Sequence, residues 1–204
     1  MKIYVVGSGY NYANWIEGAK LVYQPKFAEM LLFTGGADVS PALYGQPMGK
    51  YTSINKERDI RELEIYNEYK HLPKLGICRG AQLLTVLSGG KLIQHVENHS
   101  FPHDLITSDA VLNINSYHHQ MMYPFDVEHK LLGWTKNISD VFLDGDDKNV
   151  RMTVEPEVVW YPQTRSFCIQ GHPEMMKYGK THIWLNSQMQ RHMGYKPTSF
   201  SEFY

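Results

Sequence analysis

The stretch Gly76-Ile77-Cys78-Arg79-Gly80 constrains this chain more than any other. Before it, Leu72-Pro73-Lys74-Leu75 reads as a loop entering a short apolar strand. After it, Ala81-Gln82-Leu83-Leu84-Thr85-Val86-Leu87 reads as a helix that stops at Gly89-Gly90. A strand, a glycine-pinched turn and a helix, with a cysteine at the tip, make a nucleophile elbow of the form G-x-C-x-G. The backbone at such a tip is strained, and a side chain on either flank would strike the neighbouring strand or helix. The free N–H groups and positive dipole end of the helix favour a thiolate over a thiol. Without chemistry, the same pattern is a buried cysteine in a tight turn. The glycines on both sides weigh toward the reactive reading.

A chain of 204 residues suffices for one α/β domain with a sizeable core, and residues 1–204 read as a single domain. With 20 basic and 21 acidic side chains, no basic stripe argues for nucleic acid. No stretch is long and apolar enough to span a membrane. The opening Met1-Lys2-Ile3-Tyr4-Val5-Val6-Gly7 has too short an apolar run for a signal peptide and looks like a first strand. The expectation is a cytoplasmic protein whose two cysteines, Cys78 and Cys168, are reduced. The sequons Asn98-His99-Ser100 and Asn137-Ile138-Ser139 then carry no meaning. The 14 tyrosines suit a packed domain.

Gly7-Ser8-Gly9 follows the first strand, but a dinucleotide fingerprint needs a small residue where Tyr12 stands. A short helix is expected around Ala13 to Lys20. Glu29 to Phe33 is a second buried strand running into Thr34-Gly35-Gly36-Ala37-Asp38. Paired glycines after a strand leave backbone N–H groups free, which reads as half of an oxyanion hole or simply as a tight turn. Lys56 to His71 reads as a helix with an apolar stripe of Ile60, Leu63, Tyr66 and Tyr69. The charges between them, Arg58, Asp59, Arg61, Glu62 and Glu64, read as a solvated face.

Lys91 to His95 is a strand or extended piece. His95, His99 and His103 recur every four residues, but Pro102 breaks any helix there and no cysteine or carboxylate completes a ligand set, so no metal is expected. Ala110 to Ile114 is a strand delivering the polar run Asn115-Ser116-Tyr117-His118-His119-Gln120, which is either a binding loop or a polar turn. Asp144 to Asn149 looks like a hairpin turn without calcium-loop spacing. Val150 to Glu155 and Glu157 to Tyr161 read as antiparallel strands around Pro156. Ser166 to Gln170 is the last strand, with Cys168 in its apolar core. It ends in Gly171-His172-Pro173-Glu174, where Pro173 fixes the backbone and a carboxylate lies close enough to hold an imidazole's tautomer. Thr181 to Met193 reads as a terminal helix packed through Ile183, Trp184, Met189 and Met193.

Cys78 in G-x-C-x-G together with His172-Pro173-Glu174 resembles a class I glutamine amidotransferase domain, in the order nucleophile, histidine, glutamate. Within that superfamily the chain is most similar to the γ-glutamyl-γ-aminobutyrate hydrolase group, peptidase family C26. The further stretches that carry the likeness are Gly35 to Pro41 with Leu43-Tyr44-Gly45, Arg58-Asp59-x-x-Glu62, Gly89-Gly90, and Asn115-Ser116-x-His118-His119-Gln120. The chain is shorter than typical members before Thr34. It also carries Gly171 where the group has a bulky aromatic residue, which would open space beside His172 for a leaving amine larger than ammonia.

The resemblance implies a flavodoxin-like three-layer sandwich with a mostly parallel central sheet and the site at the carboxyl ends of the strands. It implies that Cys78 attacks a γ-glutamyl carbonyl, that His172 moves the proton and that Glu174 orients His172. The backbone N–H groups of Gly36 and Arg79 would hold the oxyanion. Gly35, Gln82, Asn115, Ser116, Tyr117, His118 and His119 would contact the substrate, a small γ-glutamyl compound or glutamine, with no cofactor. A free-standing hydrolase, a glutaminase subunit feeding a separate synthase, and a catalytically dead binding protein are the three function classes. The intact Cys78, His172 and Glu174 set argues against the third. A homodimer is left open.

Overall fold

The computed structural model describes residues 1–136 and 138–194, with Tyr10 as backbone only. Asn137 of the second sequon lies outside the described residues. Along the chain come β1 (Lys2–Val6), β2 (Lys20–Leu21), β3 (Met30–Phe33), α1 (Lys56–Glu68), β4 (Lys74–Ile77), α2 (Arg79–Leu87), β5 (Lys91–Ile93) and β6 (His95–Val96). They are followed by β7 (His103–Thr107), β8 (Val111–Ile114), β9 (Met121–Tyr123), β10 (Lys130–Thr135), β11 (Phe142–Leu143), β12 (Glu155–Tyr161), β13 (Ser166–Ile169) and α3 (Lys180–Met193).

Nine strands form one sheet in the order β2-β1-β3-β4-β13-β12-β10-β7-β8. From β2 to β13 the neighbours run parallel. From β13 to β8 they run antiparallel. Every residue of β3, β4 and β13 is buried. Strands covered on both faces bury both sets of side chains, which is why these three read as apolar runs and not as alternation. On one face Leu31, Phe33, Val159 and Tyr161 pack against Leu83 and Leu84 of α2 and Tyr66 of α1. On the other, Ile3, Leu32, Ile77 and Phe167 pack against Leu185, Met189 and Met193 of α3. The result is the expected three-layer α/β arrangement, with Cys78 at the carboxyl end of β4. No described helix is long and apolar enough to cross a membrane.

Several local expectations need correction. Tyr10–Ala13 forms a 3-10 turn where the sequence predicts a helix over Ala13 to Lys20. Trp15 and Ile16 are buried there as anchors on the way to β2. Two antiparallel strands around Pro156 are instead one strand, β12, which runs through the proline. The register of β10 is irregular at Gly133 and Trp134, opposite Pro156 and Val158, where a residue without an N–H is tolerated. In α1, Ile60 is 58% exposed. Asp59 and Glu62 are buried beside the expected Ile60 and Leu63 positions, while Tyr66 and Tyr69 pack inward as expected, so the supposedly solvated face includes two buried carboxylates. Ile183 of α3 likewise faces outward, and Leu185 packs inward.

Candidate active site

β4 delivers Cys78 at φ 52° and ψ −112°, a conformation that L side chains rarely adopt, at the N-cap of α2. Its backbone N–H donates to Ile169 O at 2.8 Å, tying the tip to the end of β13. The flanking glycines are forced by close approach. A Cβ on Gly76 would lie 2.6 Å from the Ala81 nitrogen, and one on Gly80 would lie 2.1 Å from the Phe33 oxygen.

β13 leads through Gly171 to His172, and a 3-10 turn at Pro173–Met175 folds Glu174 back on it. His172 Nδ1 lies 2.7 Å from Glu174 Oε1. The His172 N–H donates to Asn115 Oδ1 at 2.8 Å, so β8 helps to aim the ring. Burial disfavours charge on His172, but its hydrogen bonds with Cys78 and Glu174, and their charges, outweigh that and push it up to about 10. The arrangement therefore holds an imidazolium between the Cys78 sulfur and the Glu174 carboxylate. Gly35 packs beside this pair, since a Cβ there would stand 2.9 Å from His172 Cε1 and 3.7 Å from Cys78 Cβ. The rings of Tyr12 and Tyr117 flank His172 with centroids 6.5 and 6.2 Å away. Cys168, by contrast, is fully buried in β13, and burial pushes its thiol upward.

Two guanidinium groups frame the turn after β3. Arg58 donates to Gly35 O at 2.9 Å and Thr34 O at 3.0 Å, and Arg79 donates to Ala37 O at 3.0 Å. A trans peptide points its N–H opposite its C=O, so anchoring Gly35 O on Arg58 turns the Gly36 N–H the other way. Gly36 has φ 143°, and a Cβ on it would fall 2.0 Å from Arg58 Nη1. The buried Arg79 guanidinium is in turn held by Asp59 and Glu62 of α1. As the first residue of α2, Arg79 has a backbone N–H without an intrahelical partner.

Gly36, Asp38, Cys78, Gln82, Tyr117 and His119 are among the residues lining a cavity of about 210 Å³, with His118 and Gln120 completing its far wall. Gln82 donates to Gln120 O at 2.8 Å, and His119 Nε2 lies 3.0 Å from Asp38 Oδ1, which raises the His119 pKa. Of the residues expected to touch substrate, Asn115 and Ser116 are used elsewhere. Asn115 holds the His172 backbone, and Ser116 Oγ donates to His99 O at 3.0 Å. The space expected at Gly171 is filled. A Cβ there would meet Asn115 O at 2.5 Å and Ile114 Cγ1 at 2.6 Å, because β8 ends against it. Sequence reasoning missed Tyr12, Arg58 and Asp38 as parts of the site. Their signals were a tyrosine soon after a strand end, a charge at the start of a helix and an acid just past paired glycines.

The peptidase C26 family model matches residues 20–121, half of the chain, including the glycine turn, the elbow and the Asn115 to Gln120 loop. The chain belongs to the peptidase C26 family. His172 and Glu174 lie beyond the matched span. Protein NtpR of Enterococcus hirae is 29% identical over 174 residues, covering 72% of this chain and 67% of that protein. The glutamine amidotransferase-like protein YvdE of Lactococcus lactis is 38% identical over 93 residues, 44% of this chain, and the match spans only 39% of YvdE. The fold of this C26 member is similar to that of a glutamine amidotransferase from Thermotoga maritima, with TM-score 0.53 at 15% identity, covering 94% of this chain and 82% of that one. A protein assigned to GMP synthase from Thermoplasma acidophilum gives TM-score 0.56 at 17% identity, covering 94% and 96%. At these identities both likenesses concern the fold alone.

Proposed function

We propose that the chain hydrolyses a γ-glutamyl amide bond through a thioester on Cys78. One observation carries the reading: Cys78 sits on a strained tip at a helix N-terminus, beside a histidine whose Nδ1 lies 2.7 Å from Glu174 Oε1. Cys78 Sγ attacks the γ-carbonyl carbon as a thiolate while His172 holds the proton. The Gly36 and Arg79 N–H groups take the developing oxyanion, an interaction worth about 3 kcal/mol of barrier per donor. His172 passes its proton to the departing amine, leaving a glutamyl thioester. Water then attacks, giving a proton to His172, and glutamate leaves as Cys78 regains its thiolate. Glu174 keeps Nδ1 protonated and stabilises the imidazolium.

A cavity of about 210 Å³ suits a group of amino-acid size. Tyr117, His119 and Gln82 supply polar contacts for the charged glutamyl end. With Gly171 packed against Ile114, nothing at that position favours a bulky leaving amine. The test is a panel of γ-glutamyl amines and free glutamine given to the isolated chain, with glutamate and ammonia both measured. Glutamate release from at least one amide supports the reading. A chain silent on every amide, which releases ammonia from glutamine only once a synthase is added, would replace it with a glutaminase subunit.

A further inference from the structure

β12 carries two fully buried carboxylates, Glu155 and Glu157, two residues apart and so on one face of the strand. His99, His103 and His118 gather against them, with the His99 and His118 rings 4.5 Å apart. The expectation that no carboxylate completes a set with these histidines is thereby corrected. The partners come from a strand more than fifty positions along the chain, where a four-residue periodicity could not reveal them.

The hydrogen-bond partners fix the tautomers. Ser116 Oγ spends its single hydrogen on His99 O, so it meets His99 Nδ1, at 3.2 Å, as an acceptor. His99 Nδ1 therefore carries a proton, and His99 Nε2 stands at ion-pair distance, 2.9 Å, from Glu155 Oε2. His118 Nδ1 lies 2.9 Å from Gln120 O, which can only accept, so His118 Nε2 presents a lone pair, buried and unpartnered. Glu157 Oε1 takes the His103 Nε2 hydrogen at 2.9 Å, while its Oε2 has no partner. Glu155 Oε1 accepts from the Ile138 and Ser139 N–H groups, at 2.8 and 3.0 Å. Two buried acceptors, His118 Nε2 and Glu157 Oε2, thus lie near His99 with no hydrogen-bond partner among the described residues. Buried lone pairs without a donor are costly, and a cation removes that cost.

We propose that His99, His118 and Glu157 bind one divalent cation of the zinc class, which takes His99 Nε2 from its pairing with Glu155. One ligand atom each from His99, His118 and Glu157 lies within 4.8 Å of the others. Ligands about 2.1 Å from a tetrahedral ion stand roughly 3.4 Å apart, so loading draws them inward. Two imidazoles and one carboxylate suit zinc better than calcium or magnesium. Ser116 and Gln120 hold the two Nδ1–H groups in the way that outer partners orient metal-bound histidines. With three protein ligands the ion keeps a fourth position for water. It ties the His118 wall of the cavity to β12.

The full chain, stripped with a chelator, is titrated with Co2+ and then Zn2+. The expected result is one ion per chain, with visible d–d bands of a tetrahedral nitrogen and oxygen site and no thiolate charge-transfer band. Glu157→Gln and His99→Gln are expected to weaken binding more than tenfold. No binding, a thiolate band that moves the ion to Cys78, or unchanged affinity in both variants would overturn the proposal. Should the variants fail to fold, 15N spectra of the wild-type imidazoles decide. Zn2+ is expected to shift Nε2 of two histidines that keep Nδ1 protonated, and unchanged Nε2 signals would refute the site.

Discussion

Glu62 on α1 reaches Arg79 at the start of α2, and its other oxygen lies 2.7 Å from Arg58 Nε, so one buried carboxylate holds both guanidinium groups that frame the glycine turn. Removing one member of a buried pair leaves an uncompensated charge. Glu62→Gln is expected to cost about 3 kcal/mol, which lowers Tm by roughly 6–12 °C for a chain of this length. Calorimetry checks this, and an unchanged Tm would show that Arg79 finds sufficient partners in Asp59 and Ala37 O.

Gly36 tests the oxyanion assignment. Its φ of 143° and the 2.0 Å approach to Arg58 Nη1 leave no place for a methyl group. Gly36→Ala is expected to displace Arg58, turn the peptide and lower kcat on the order of 100-fold while the chain stays folded. Steady-state kinetics beside circular dichroism decides. A folded variant with wild-type kcat would remove Gly36 from the oxyanion hole.

The His172 pair predicts a pH dependence. Its pKa rises from 6.5 to about 10 on folding. A base with a raised folded value contributes its full stabilisation below 6.5, and that contribution is lost as pH rises through about 10. Cys78→Ala removes one of the two partners responsible, so stability should fall less steeply across this window in the variant. Urea midpoints measured through the window are the check. Parallel curves for the two proteins would mean that Cys78 does not hold the imidazolium.

Gly171→Ala distinguishes packing from pocket space. A Cβ there would press on Asn115, whose side chain holds the His172 backbone. The expected outcome is a lower Tm, by a few degrees, with kcat reduced in the same proportion for every leaving amine. A selective loss for large amines at unchanged Tm would restore the view that Gly171 opens the leaving-group side.

The parts of the site written in short local patterns were legible in the sequence. Gly76 to Gly80 and His172 to Glu174 each determine their own backbone within five residues. The buried strands β3, β4 and β13 were legible because cover on both faces makes an unbroken apolar run. Asp59 and Glu62 were not, because a carboxylate on a helix is usually solvated and only Arg79, from another element, makes it an inward residue. β7 and β10 escaped notice because His103, Asp104 and Gly133 break the strand pattern while edge pairing sustains it. The filling of space at Gly171 depends on where β8 ends, which no local pattern states.

The covalent intermediate tests the central claim most directly. The chain is mixed with a γ-glutamyl amide, quenched in acid within the first turnover, and mapped by peptide mass spectrometry. A single glutamyl adduct is expected on the Cys78 peptide, with none on Cys168, whose thiol is buried in β13. His172→Ala should lower the adduct's rate of formation by roughly 100-fold or more. Turnover without an adduct on Cys78, or turnover that survives Cys78→Ala, would contradict the account.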